Sequence, residues 1–257
     1  MPEGDTVHRA ARRLNTALAG RVVTRFDLRV PQAATADLRG ETVHDVVARG
    51  KHLLHRIGEY TLHTHLRMEG EWHVYVDGAR WRRPAYQARA IVAVERVEAV
   101  GFELGVVELL RTRDEEQAVG YLGPDPLGPD WDPDEAARRL AADTRAAHVA
   151  LLDQRNVAGF GTVFVNEILF LRGVLPTRPM AEVDTAALVA LGARTIRRNV
   201  EERKRTFTGD ARPGQGMWVY GRERKPCRRC GTPIRMTHLG ADPTKERLAF
   251  WCPVCQS

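Results

Sequence analysis

The sequence predicts an α+β protein in which an N-terminal helix and a β-sandwich precede a helical domain that ends in a four-cysteine hairpin. Three observations predict this class. A helical apolar stripe is followed by many short strand-like segments up to about residue 110. The pattern then becomes helical, after a segment rich in Pro, Gly and Asp at 123–133. All four cysteines lie at the C-terminal end.

The first helix is predicted from apolar residues at helical spacing, namely Val7, Ala11, Leu14 and Leu18. Asp5 or Thr6 is expected to cap this helix, and Gly20 to end it. Short segments, several separated by Gly or Asp-Gly turns, are then predicted as strands: 22–28, 43–48, 52–57, 61–66, 72–76, 88–94 and 99–110. Many short strands at this spacing favour a sandwich or a barrel.

Helices are predicted in the second half at 133–142, 146–152, 163–171 and 185–203. Asp132 is the expected cap of the first of them, and Gly173 the stop of the third. A loop at 153–162 contains Gly159 and Gly161. We therefore expect a domain at 1–122, a linker at 123–133, a helical domain at 134–216 and a finger at 217–257.

The composition is typical of a globular protein, because 43% of the 257 residues are apolar and 28% are charged. This balance excludes disorder, collagen-like repeats and coiled coil as the main content. No apolar run reaches the length that spans a membrane, and the first residues lack the apolar segment of a secretory signal. We expect a cytoplasmic, nucleoid-associated monomer that does not contact membranes.

The net charge of +6 is unevenly distributed. Residues 191–257 hold 15 Lys and Arg against 6 Asp and Glu, whereas residues 1–190 hold 24 against 27. The basic C-terminal quarter indicates an anionic partner, most simply nucleic acid, although a solvated basic surface is the plainer alternative. Lys51 is the only lysine before Lys204, and a lysine kept in an arginine-rich chain can serve as an amine with an adjustable pKa.

The cysteines form two C-x2-C pairs, Cys227 with Cys230 and Cys252 with Cys255. Two such pairs predict one structural Zn²⁺, because four thiolates leave no coordination position open. Two disulfides or a redox pair are the alternatives, and a cytosolic chain disfavours the first. The insert is expected to form a hairpin with strands at 234–237 and 247–251 and a polar tip at 240–245. Such a hairpin can place four arginines against phosphates: Arg228, Arg229, Arg235 and Arg247.

Several motifs in order match one family: Pro2-Glu-Gly-Asp-Thr6, Arg49-Gly-Lys51, His65-Leu-Arg-Met68, Leu151-Leu-Asp-Gln154, Gly159-Phe-Gly161, Trp218-Val-Tyr-Gly-Arg222 and the cysteine pairs. Over nearly its whole length the sequence resembles the formamidopyrimidine-DNA glycosylase/endonuclease VIII family of base-excision repair enzymes. The opening residues resemble the actinobacterial endonuclease VIII branch. The resemblance implies a β-sandwich, a helix-two-turn-helix domain and a zinc finger, with damaged DNA, duplex or single-stranded, as the partner.

The resemblance implies three catalytic residues. Pro2, once Met1 is removed, is a secondary amine whose pKa is near that of other α-amino groups, about 8, and therefore a sizeable fraction of it is unprotonated at neutral pH. It attacks the sugar C1′ and forms an iminium. Glu3 acts as the general acid, and Lys51 assists base release. Each has a plain alternative: a helix-starting proline, an acid favoured by the helix dipole and a solvated lysine.

The resemblance also implies DNA contacts. Met68 matches the wedge that fills the gap left by a flipped base, with Phe102 as a second candidate, although both can instead belong to the core. Gly161 begins a helix whose N–H groups can bind phosphate. Thr162 stands where the family usually has Asn, and Arg247 matches the arginine of the finger. Where the family has Arg-Arg-Phe-Gly, this sequence has Val100-Gly-Phe-Glu103. This departure affects the contacts expected with the DNA strand opposite the damaged base.

His63, His65 and Glu69 resemble part of a cupin metal triad, but the expected glycines are missing, so both histidines are interpreted as core or supporting groups. The predicted function is a bifunctional DNA glycosylase/AP lyase that removes damaged bases, oxidised pyrimidines above all. One alternative is a catalytically weak paralogue that binds AP sites or unusual DNA. The other is a zinc-ribbon transcription or RNA-binding protein, in which the N-terminal Pro-Glu is incidental.

Overall fold

The computed structural model describes residues 2–240 and 242–257, and the chain divides into two compact units, one up to Tyr121 and the other from Leu122. Met1, and Ala241 in the predicted hairpin tip, lie outside the described residues. Among the helices of the described part, none is both long and apolar enough to cross a membrane.

The first unit begins with helix α1, Gly4–Leu18, whose apolar stripe is buried as the spacing predicts. The predicted cap is wrong: Glu3 is the N-cap residue, and Asp5 and Thr6 lie inside the first turn. The carbonyl of Glu3 accepts the N–H groups of Thr6 and Val7 at 2.9 and 3.0 Å. The helix therefore begins directly after the N-terminal Pro-Glu.

Eight strands of this unit form two four-stranded antiparallel sheets: β1 Arg25–Leu28, β2 Val43–Arg49, β3 His52–Ile57, β4 Tyr60–His65, β5 Glu71–Val76, β6 Ala88–Val94, β7 Val97–Phe102 and β8 Val106–Arg111. One sheet has the order β1-β6-β7-β5 and the other β2-β3-β4-β8. Apolar side chains of both sheets and of α1 share one core, which contains Leu14, Phe26, Leu62 and Trp72. This is the β-sandwich that the many short strand-like segments predict.

The single strand predicted at 99–110 is wrong. The chain forms β7 and β8 there, which belong to different sheets, and it turns at Glu103 with φ of 49°. The segment is apolar on both sides of the turn, so periodicity alone does not show the break. The short helix α2, Glu116–Val119, follows β8 and was not predicted.

The second unit contains α3 Pro133–Ala141, α4 Ala147–Leu152, α5 Thr162–Arg172 and α6 Thr185–Glu201. The Asp132 side chain caps α3, and Gly173 ends α5 in the left-handed region at φ of 72°, both as predicted. Residues 162–170 of α5 are all buried, which makes this helix the centre of the unit. Segment 123–128 belongs to this unit, since Gly123 donates to the Gln154 carbonyl and the Pro124 carbonyl accepts from Ala158.

The unit ends in an antiparallel hairpin of β9, Arg235–Leu239, and β10, Arg247–Trp251. Its inner side packs on Phe170 of α5 and on Val219. This small core also contains Cys227 and Cys252. The hairpin thus rests on the last turns of α5, close to the cysteine pairs.

Candidate active site and metal centre

Pro2 lines a cleft of about 780 Å³ in the first unit. Pro2 lines the cleft together with Thr6 and Arg9 of α1 and with Met68. The Glu3 side chain is fully buried at the start of α1, where the helix dipole favours a negative charge. The nitrogen of Pro2 is an amine only when Met1 is absent. The sequence motif and the cleft therefore coincide at the N-terminus.

Lys51 lies in the two-residue turn between β2 and β3, where Arg49 pairs with His52. Gly50 takes φ of 59° in this turn, a conformation that suits glycine in tight hairpins. Burial, with help from the charge of Lys51, lowers the pKa of His52 to about 3 and that of His65 to about 4. Lys51 therefore stands beside two histidines that are neutral at physiological pH.

His52 belongs to a hydrogen-bonded chain with His63, which the sequence did not predict. His63 Nδ1 lies 2.9 Å from a Glu108 carboxylate oxygen, and its Nε2 lies 2.8 Å from His52 Nδ1. His52 Nε2 lies 3.1 Å from the Tyr121 hydroxyl. His63 is buried within this chain of hydrogen bonds, whereas His65 is half-buried and accepts the Arg67 N–H.

Met68 lies in the turn between β4 and β5, with 56% of its surface exposed. The turn is fixed on both sides, because Gly70 donates to the Leu66 carbonyl and the Arg67 N–H donates to His65 Nδ1, both at 2.9 Å. Phe102 is different: it is fully buried against His73 and Trp81, so it belongs to the core and fills no gap in DNA.

The Gly-x-Gly loop of the second unit is held by one side chain. Gln154 Nε2 donates to the Leu152 and Phe160 carbonyls at 2.8 and 2.9 Å, and Gln154 Oε1 accepts the Gly159 N–H at 3.0 Å. Gly161 is the N-cap of α5, and the buried Thr162 is its first helical residue.

Two further residues of α5 connect this helix to the finger, and periodicity could not reveal them. Asn166 donates to the Leu248 carbonyl at 2.9 Å and accepts the Phe250 N–H, so it binds the backbone of β10. The buried Glu167 carboxylate accepts three consecutive N–H groups, those of Trp218, Val219 and Tyr220, at 2.8 to 2.9 Å. Polar residues in an otherwise apolar helix were the only hint in the sequence.

Burial raises the pKa of Glu167 to about 7, although the three N–H groups favour the charged form. The hydrogen bonds of Asn166 and Glu167 also join α5, which begins after Gly161, to the finger that carries Arg247. Arg247 is exposed at the first position of β10. The structure therefore links the two predicted phosphate contacts of the second unit through α5.

Two of the four arginines expected to face phosphates are exposed and also contact other groups of the protein. Arg228 donates to the Gly214 and Met217 carbonyls and to the Gln215 side chain. The Arg229 guanidinium lies 4.6 Å from the centre of the Phe170 ring. Arg235 and Arg247 are exposed on the hairpin strands.

The four cysteine Sγ atoms lie within 4.8 Å of one another. Cys227 and Cys255 are separated by 4.0 Å, and Cys230 and Cys252 by 3.4 Å, and none forms a disulfide. A tetrahedral ion with Zn–S bonds of 2.3 Å needs sulfur atoms about 3.8 Å apart. The cluster therefore fits a single metal ion with four thiolate ligands, and within the described part of the chain it is the one group of this kind.

Comparisons with known proteins agree with this architecture. Residues 1–117 match the family model of the formamidopyrimidine-DNA glycosylase N-terminal domain, and residues 122–208 match that of its H2TH domain. The chain is 52% identical to a probable endonuclease 8 2 of Streptomyces coelicolor, over all of this chain and 94% of the relative. It is 45% identical to the DNA-(apurinic or apyrimidinic site) lyase Nei2 of Mycolicibacterium smegmatis, over 100% and 99% of the two chains.

The structure is similar to that of a Lactococcus lactis Fpg in complex with DNA containing an abasic site, with a TM-score of 0.81 and 23% sequence identity. The superposition covers 100% of both chains and supports the fold. The alternative of a zinc-ribbon transcription or RNA-binding protein is excluded, because the two family domains span most of the chain. The chain belongs to the formamidopyrimidine-DNA glycosylase/endonuclease VIII family of DNA glycosylases with AP lyase activity, in its actinobacterial endonuclease VIII branch.

Proposed function

We propose that this protein removes damaged bases from DNA, oxidised pyrimidines above all, and then cleaves the strand through a covalent intermediate on Pro2. One observation carries the proposal: the N-terminal proline lines a large cleft, directly before a buried glutamate at a helix start. A free secondary amine beside a positioned carboxyl group is what nucleophilic glycosidic cleavage requires.

The reaction begins when the lone pair of the Pro2 nitrogen attacks C1′ of the sugar. The bond from C1′ to the base breaks, and Glu3 supplies a proton to the sugar ring oxygen or to the departing base. Lys51, at the β2–β3 turn, assists base release near the sugar and its phosphate. The C1′–O4′ bond then breaks as O4′ takes up a proton and the nitrogen loses its own, which leaves a cationic iminium between Pro2 and C1′. Because the iminium withdraws electrons, loss of a C2′ proton expels the 3′ phosphate, and loss of a C4′ proton then expels the 5′ phosphate.

Residues of both units bind the DNA. The exposed Met68 fills the gap left by the flipped nucleotide. The helix start at Gly161 and Thr162 and the exposed Arg247 bind phosphates of the damaged strand. The altered residues 100–103, with Phe102 in the core, favour a substrate whose opposite strand is gripped less firmly, such as single-stranded, bubble or fork DNA.

The metal is proposed to be one Zn²⁺ bound by Cys227, Cys230, Cys252 and Cys255, since their spacing fits its tetrahedral geometry. It holds the ends of the hairpin together and supplies no catalytic position. We also propose that the chain comprises four segments, residues 1–122, 123–133, 134–216 and 217–257. The metal stabilises the last of them.

Borohydride trapping tests the catalytic assignment. Protein shown by mass spectrometry to lack Met1 is incubated with AP-site DNA, and hydride converts the iminium into a stable amine, which peptide mapping locates. We expect the adduct on Pro2. Lys51→Ala is the matched control, because it removes the other candidate amine yet should still be trapped on a preformed AP site. An adduct on Lys51 with Pro2 unmodified contradicts the assignment.

Substrate class is tested with a panel of 5-hydroxyuracil, dihydrouracil, uracil, 8-oxoguanine and AP sites, each in single and double strands. We expect the damaged pyrimidines to be released faster than 8-oxoguanine. Equal or faster release of 8-oxoguanine contradicts the proposed preference. No adduct and no release on any substrate, from processed and zinc-loaded protein, favours the binding-only paralogue.

A further inference from the structure

A loop of the first unit carries exposed cations that the proposed catalysis does not use. Residues 77–87 join β5 to β6, and the stretch 77–89 holds four arginines but a single acid, Asp77, which pairs with Arg96 at 2.7 Å. Residues 1–190 as a whole carry a net negative charge, so this cluster stands out from its background. A local excess of arginine on such a surface favours an anionic ligand.

The backbone of this loop is fixed by its neighbours. The Trp81 indole N–H donates to Glu98 at 2.6 Å, and the Arg82 N–H donates to the Tyr75 hydroxyl at 3.0 Å. The Arg83 guanidinium donates to the Glu71 carboxylate at 2.8 Å. The side chains of Arg80 and Arg82 remain exposed, and within the described part of the chain no ion pair involves either of them.

The end of the loop presents an aromatic ring. Tyr86 is 77% exposed, which is unusual for so large a side chain. Its carbonyl accepts a hydrogen bond from Arg89 at 2.8 Å, and the Ala85 carbonyl accepts one from Arg29 at 2.9 Å. Two guanidinium groups therefore hydrogen-bond to the backbone at residues 85 and 86, from which the ring projects.

The loop adjoins the proposed active site. Arg83 lines the same cleft as Pro2 and Met68 and also approaches the Glu69 carbonyl at 3.4 Å. The Gln87 carbonyl accepts the Glu103 N–H at 2.9 Å, at the altered turn between β7 and β8. Two exposed guanidinium groups followed by an exposed ring suit a nucleic-acid strand, which offers phosphates and base faces together.

We propose that residues 80–86 form a strand-binding platform, in which Arg80 and Arg82 bind phosphates and Tyr86 stacks on a base of DNA that passes the Met68 turn. This inference rests on the proposed DNA glycosylase function and adds a binding surface to it. It gives the first unit its own grip on DNA, separate from the basic C-terminal quarter of the chain.

The first test measures affinity for DNA that contains an uncleavable tetrahydrofuran abasic analogue, across a range of salt concentrations. For duplex DNA, affinity falls as salt rises, and we expect the double variant Arg80→Ala/Arg82→Ala to make this fall less steep. The magnitude of the slope of log affinity against log salt should decrease by about 1.8, since each lost phosphate contact removes about 0.9. The lysine double variant at the same positions should retain the parent slope. Arg39→Ala/Arg113→Ala, which removes two exposed arginines of the same unit outside the loop, is the matched control.

The second test concerns stacking on single-stranded DNA of the same sequence. Tyr86→Leu should weaken binding about 5-fold or more, because stacking of one base on an aromatic ring contributes at least about 1 kcal/mol. Tyr86→Phe should bind like the parent protein. Equal affinities for the Leu and Phe variants overturn the stacking role.

The outcomes separate this inference from the proposed function. If the parent protein binds with a steep salt dependence and the arginine double variant keeps both affinity and slope, the platform is refuted and the proposed function stands. A parent protein without salt-dependent DNA binding refutes the proposed function itself. Circular dichroism checks that the variants fold, which their exposure leads us to expect.

Discussion

Replacing Glu167 by Gln should remove a pH dependence from the stability of the second unit. The folded-state pKa of this buried carboxyl is raised to about 7 from its ordinary 4.5, chiefly because burial disfavours the charge. Between these two values the folded state keeps a proton that the unfolded state has lost. The unfolding free energy contributed by Glu167 is therefore fully present below pH 4.5 and is lost as the pH rises towards 7.

The expected size of the change in unfolding free energy follows from the linkage between proton binding and folding. Each pKa unit corresponds to about 1.4 kcal/mol, so the shift amounts to roughly 3 kcal/mol in total, and to about 2 kcal/mol between pH 5.5 and 7. The Gln variant adds a cost that does not depend on pH. Its amide N–H₂ faces the backbone donors at residues 218–220, and an unsatisfied buried donor costs about 1–3 kcal/mol.

The assay is denaturant unfolding of zinc-loaded protein at pH 5.5, 6.5 and 7.5, followed by zinc release to a colorimetric chelator, which reports on the second unit. Zinc affinity itself varies with pH, but it does so in both proteins, so the difference between them isolates Glu167. We expect the stability advantage of the parent protein to shrink as the pH rises. A difference that is constant across this range refutes the reasoning.

Four further predictions concern the metal, the DNA contacts and the acid. Cys252→Ser should release the metal, measured by elemental analysis, and abolish DNA binding while the β-rich circular dichroism persists; full metal content would contradict the four-thiolate site. Arg247→Ala should reduce the salt slope by about 0.9 and weaken binding, whereas Arg224→Ala, which removes another exposed arginine of segment 217–257, should do neither. Met68→Ala should slow excision from duplex more than from single strands in parallel time courses, and equal losses would place Met68 in another role. Glu3→Gln should lose base excision yet retain strand cleavage at a preformed AP site, and a variant that loses both equally would show that Glu3 acts beyond base release.

Local patterns in the sequence determined most of the architecture. The stripe of α1, the cap at Asp132 and the stop at Gly173 follow from side-chain spacing and backbone preference over a few residues. The two C-x2-C pairs predicted a cluster because each pair is a single tight turn. The order of the motifs likewise identified the family, since it needs no knowledge of contacts.

Tertiary structure decided what depends on residues far apart in the chain. Phe102 looked available in the sequence, but packing against Trp81 places it in the core. The break at Glu103 depends on which sheet accepts each flanking strand. Glu167 receives its three N–H donors, and its raised pKa, from a segment some fifty residues away along the chain. Burial and long-range pairing set these features, and neither can be read from the local pattern of residues.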